Sequence, residues 1–148
     1  MSLNFSKPLS KSDDSGFEFA QEMLQGDATY AINFDRIQFH PNLGYIIFEY
    51  LLCDERQKVT PHSSHPNRYF HKNSRKFVSL FRVSRDLNAT LYLVNYAKKG
   101  TEHEDKVLLM RVMSVDENNN PPVQTEDYEM TRLEFSEWFR QLNNECRS

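Results

Sequence analysis

Apolar residues along this chain change their spacing several times, and each change predicts an element. Between Ser15 and Gly26, Phe17, Ala20, Gln21 and Leu24 fall on one face of a helix that Ser15 can cap and Gly26 can stop. From Tyr30 to Phe39 the pattern alternates, with its phase shifted at Asp35 and Arg36, and predicts a strand with an irregularity at Asp35. His40-Pro41-Asn42-Leu43-Gly44 predicts a turn, and Gly44 to Cys53 is an unbroken apolar run that reads as a strand buried on both faces. A short connection of this kind makes the two strands an antiparallel hairpin. From Asn73 or Ser74 as cap to Asn88, Phe77, Leu80, Phe81, Ser84 and Leu87 make one helix face, with Arg75, Ser79, Arg82 and Arg85 opposite. Thr90 to Ala97 predicts a strand returning parallel to the one before that helix, and Lys106 to Val115 another. Asp116 to Met130 reads as an acidic loop around Asn118-Asn119-Asn120-Pro121-Pro122. Thr131 with Glu134 forms a capping box for a last helix, whose stripe of Leu133, Phe135, Trp138, Phe139 and Leu142 places Trp138 in the core.

This order of elements predicts an α/β (α+β) fold with a central mixed sheet of four to five strands flanked by helices. With 148 residues, 39% of them hydrophobic, the chain is expected to make a single globular domain over residues 15–148, preceded by a flexible arm over 1–14. No apolar run approaches the roughly 18 residues of a membrane span, and the first residues lack the apolar region of a signal peptide. The expectation is a cytoplasmic protein with no membrane partner. Cys53 and Cys146 are expected to be free thiols.

Charge changes the picture more than composition does. The net charge is -3, yet the segment from Arg56 to Arg85 holds eight basic residues and no acidic one. Such segregation suggests a face built to meet polyanions, with Arg68, Lys72, Arg75, Lys76 and Arg82 as candidate phosphate contacts. A solvated basic face, or one that meets an acidic protein partner, gives the same pattern.

Glu49 sits in the middle of the apolar run. An isolated charge in apolar surroundings is costly enough that it is normally paired, neutralised or bound to a metal. An edge strand or a solvated sheet end would also accommodate it. In the predicted hairpin, Asp35 and Glu49 are the two carboxylates that can approach each other, and paired carboxylates supply oxygen donors to a hard cation such as Mg²⁺. The long segment 54–72 carries His62 and His65, and His71 lies at its end, but they have no cysteine partner and match no common zinc spacing.

The order helix, strand with Asp35, strand with Glu49, basic helix, parallel strand, together with the spacing Asp35-(13 residues)-Glu49-Tyr50-Leu51, resembles the PD-(D/E)XK nuclease superfamily over roughly residues 15–97. The resemblance implies a restriction-endonuclease-like αβββαβ core and a Mg²⁺- or Mn²⁺-dependent endonuclease acting on DNA. It implies that Asp35, Glu49 and the carbonyl of Tyr50 hold the metal, with Glu22 as the accessory acid that some members carry on the first helix. The family's lysine, two residues after the Glu, is Leu51 here. Either its role has moved to the following helix, where Lys72 and Lys76 are candidates and Lys76 is favoured by its place inside the first turns, or the domain has lost cleavage. As implied by the resemblance, Asp35, Glu49 and Lys76 would be catalytic, and a homodimer or protein partner would be needed to cut both strands. The alternative is a non-enzymatic nucleic-acid-binding or protein-interaction module that uses the basic 56–85 face.

Overall fold

The computed structural model describes residues 14–146. The chain divides into two units between Ala31 and Ile32. The arm expected over residues 1–14 lies, apart from Asp14, outside the described residues.

The first unit contains helix α1, Ser15–Leu24, none of whose residues is buried. Gln25 in the left-handed conformation ends it, and Gly26 follows with φ of 91°. Ser15 is the first helical residue rather than the cap; Asp14 holds the cap position.

The second unit holds one five-stranded sheet in the order β1-β2-β3-β4-β5. The strands are β1 (Arg36–His40), β2 (Gly44–Leu52), β3 (Thr90–Tyr96), β4 (Lys106–Val115) and β5 (Val123–Thr131). β2 and β3 are parallel and the other neighbours antiparallel. A parallel pair needs a long crossover, and helix α2 (Phe70–Asp86) supplies it. Asn73 interrupts α2 with non-helical angles, so the helix proper begins at the position read as its cap. The last helix, α3 (Arg132–Glu145), opens with the expected capping box of Thr131 and Glu134.

Alternation in the strands builds a core on each face of the sheet. On one face Ile47, Leu51, Leu91, Leu93, Leu108 and Met110 meet Phe70, Phe77 and Leu80 of α2. On the other, Ile46, Phe48, Val94, Val107 and Leu109 meet Leu142, Phe135, Trp138 and Phe139 of α3. Trp138 lies against Phe48 and Tyr92, as the stripe predicts.

Three expectations are corrected. Tyr30 to Phe34 is not strand; pairing begins at Arg36, opposite Phe48. Only two strands precede α2 among the described residues, where an αβββαβ core has three. The acidic segment after Asp116 is a loop only to Pro122, and from Val123 it forms edge strand β5. Gln124, Glu126, Asp127, Tyr128 and Glu129 are exposed, so backbone pairing to β4 rather than apolar alternation holds that strand.

Candidate metal centre

Glu49 lies on the α2 face of β2, between the core residues Ile47 and Leu51. Its side chain is 8% exposed. Antiparallel pairing sets Arg36 opposite Phe48, which brings Asp35, one residue before β1, opposite Glu49 on the same face. The Asp35 N–H donates to the Phe48 carbonyl at 3.1 Å, and Asp35 Oδ2 accepts the N–H of Tyr50 at 2.8 Å. One bond from its backbone and one to its side chain therefore fix Asp35 against β2, although the residue is exposed.

Lys76 comes down from the first turns of α2, and its Nζ lies 2.8 Å from Glu49 Oε2. Burial pushes the Glu49 carboxyl above the usual carboxylate range; Lys76 opposes the shift, and the charge and hydrogen bonding of Asp35 add to it. Two carboxylates and one ammonium thus meet at the rim of the α2 core. Asp35, Glu49 and Lys76, expected as a cluster, are brought together.

Tyr50 serves through its backbone. N–H and C=O of one strand residue point to the same edge, so its carbonyl lies on the side from which Asp35 reaches its N–H. Two carboxylates and a carbonyl are hard oxygen donors of the kind Mg²⁺ takes when it keeps several waters. No group of three or more His, Cys, Asp or Glu side chains suited to a metal occurs among the described residues.

Leu51 is buried against α2. A lysine there would place its ammonium in an apolar core, and the cation at Glu49 comes from the helix instead. Of the two helix candidates, Lys76 makes the contact; Lys72, before the break at Asn73, is exposed. Arg68, Arg75 and Arg82 are also exposed, Arg68 at the end of the short 3-10 turn Pro66–Arg68. Glu22 is exposed on α1 in the first unit. The three histidines do not converge. His62 Nε2 donates towards the carbonyls of Val107 and Met130, His65 Nε2 bonds Thr125 Oγ1, and His71 lies beside the Phe70 ring.

Sequence reasoning passed over what holds β1, and with it Asp35. Arg36 Nη2 donates to Asn143 Oδ1 at 2.8 Å, Gln38 Nε2 donates to Cys146 Sγ at 3.4 Å, and His40 bonds Glu145 Oε1 at 2.9 Å. The His40 Nδ1 accepts the N–H groups of Asn42 and Leu43, so Nε2 carries the proton given to Glu145. Partners more than 100 residues apart leave no local signal, but the polar alternation of Arg36, Gln38 and His40 marked the face they use.

Comparisons of the chain with protein-family models, with curated proteins and with solved structures found no match. Among the described residues, no helix is long and apolar enough to cross a membrane.

Proposed function

We propose that this chain is a metal-dependent phosphodiesterase acting on DNA. The observation that carries the reading is the cluster of Asp35, Glu49 and Lys76, with the lysine delivered by α2 because Leu51 belongs to the core. Asp35, Glu49 and the Tyr50 carbonyl would hold Mg²⁺ or Mn²⁺. Such an ion lowers the pKa of bound water and stabilises charge on a departing oxygen. Asp35 is held in place by the Tyr50 N–H, and Lys76 stands where it can contact a phosphate oxygen or orient the attacking water. Arg68, Lys72, Arg75 and Arg82 would bind flanking phosphates, a contribution that weakens as salt rises.

The test is cleavage of linear and branched DNA in Mg²⁺ or Mn²⁺, with binding measured in parallel across salt concentrations. Glu49→Gln and Asp35→Asn should abolish cutting and leave binding intact, while Arg75→Ala with Arg82→Ala should weaken binding and flatten its salt dependence. Cutting that survives Glu49→Gln would overturn the proposal.

One observation favours a second reading, a nucleic-acid-binding or protein-binding domain without turnover: Lys76 already balances the charge of Glu49. Under that reading the protein binds its partner in EDTA as well as in Mg²⁺ and cuts nothing.

A further inference from the structure

β1 presents an unusual face. Ile37 and Phe39 are 40% and 53% exposed, and the hairpin partner Tyr45 is 42% exposed. Since Arg36, Gln38 and His40 turn to α3, alternation puts Ile37 and Phe39 on the α2 side of the sheet, the side of Asp35 and Glu49. Tyr45 shares that side with Ile47 and Glu49. Phe39 and Tyr45 pair in register, and their rings meet edge to face at 5.1 Å. Glu49 lies four positions beyond Tyr45 in the strand, a span of about 13 Å.

Helix α2 follows the same course. Lys76 lies over Glu49 at one end, and beyond the other end the Asn88 carbonyl oxygen is 3.8 Å from where a side chain on Gly44 would begin. The exposed rings of Phe39 and Tyr45 at the hairpin tip and helix α2, whose Arg75, Arg82 and Arg85 are exposed, therefore lie on the same side of the sheet as the carboxylates. All of these residues belong to the second unit.

We infer that this exposed ring pair is a subsite for the unpaired bases of a single-stranded nucleic acid, whose phosphates meet the exposed arginines of α2. The inference rests on the phosphodiesterase reading and narrows its substrate to strands with exposed bases. Aromatic rings stack on any base, and exposed arginines on the same side of the sheet favour a polyanion over an apolar peptide. A duplex keeps its base faces in its own stack, so the rings offer it nothing without unpairing.

The test uses the full chain in EDTA, so that nothing is cut, with a fluorescent oligothymidine strand and a hairpin duplex of equal length. Phe39→Ala with Tyr45→Ala should weaken single-strand binding at least about tenfold, from the energy of one or two stacked bases, and duplex binding less than about twofold. Phe39→Trp keeps a ring at the site and should retain single-strand affinity. Equal losses on both probes, or no loss on either, would overturn the inference while leaving the carboxylate site to its own cleavage test. Failure of both probes to bind wild type would overturn it too, as would sedimentation in which the double variant only converts a dimer to a monomer, which would make the patch an interface between copies.

Discussion

The two faces of the sheet are closed by different means. On the α3 face the core is aromatic: Tyr92 stacks on Phe48 at 5.4 Å, and Phe139 and Trp138 meet it edge-on at 5.4 and 6.1 Å. Its hydrogen-bonded charge, the His40 to Glu145 contact, sits at the rim, with Glu145 side chain 46% exposed. On the α2 face a core that joins the aliphatic residues of the strands to Phe70 and Phe77 is interrupted by Glu49, which a half-exposed lysine neutralises. A buried ion pair seldom stabilises more than the apolar residues that could replace it. The α3 face is covered without one at its centre, and this difference is what the proposed metal site accounts for.

That contrast can be broken first on its stable side. Phe48 is fully buried, and Phe48→Ala should cost about 3–5 kcal/mol by chemical denaturation, the largest effect expected of these substitutions. A loss below about 1 kcal/mol would show that the aromatic cluster does not hold the fold.

Lys76→Met sharpens the other side. It keeps the aliphatic stem but strands the Glu49 carboxylate, and should cost about 1–2 kcal/mol at pH 7, discounted from a fully buried pair because Lys76 is 42% exposed. Glu49 already titrates above its ordinary value of 4.5 because of burial, and removal of the lysine pushes it further up. A raised carboxyl favours folding when protonated, so the cost should be full above the variant's raised value and shrink as pH falls through it towards the wild-type value. A cost independent of pH would mean that Lys76 acts by packing alone.

How far the sequence announced this structure depended on where the signal lay. The hairpin at Gly44, the parallel return at Thr90 and the capping box at Thr131 are local, written in turn chemistry and apolar spacing, and they stand as read. β5 was hidden because an edge strand exposed along most of its length needs no apolar alternation. In β1 the alternation alone did not say which face is covered. Its alternation is genuine, but Arg36, Gln38 and His40 face α3 while Ile37 and Phe39 face outwards, reversing the usual assignment of apolar residues to the interior. At the site, Asp35 and Glu49 were legible from the hairpin, and Lys76 from its place in the helix. The N–H of Tyr50 that fixes Asp35 left no trace, because any residue supplies one.

The central claim is that Glu49 is retained to bind a cation, and calorimetric titration of Mg²⁺ and Mn²⁺ into wild type and Glu49→Gln tests it most directly. Wild type should bind at millimolar metal or tighter, and the variant should lose at least about tenfold in affinity while remaining as stable as wild type to within about 1 kcal/mol, since a buried charge has been removed. Equal binding by both proteins, or none by wild type at millimolar metal, would contradict the account and leave Glu49 and Lys76 as a structural ion pair.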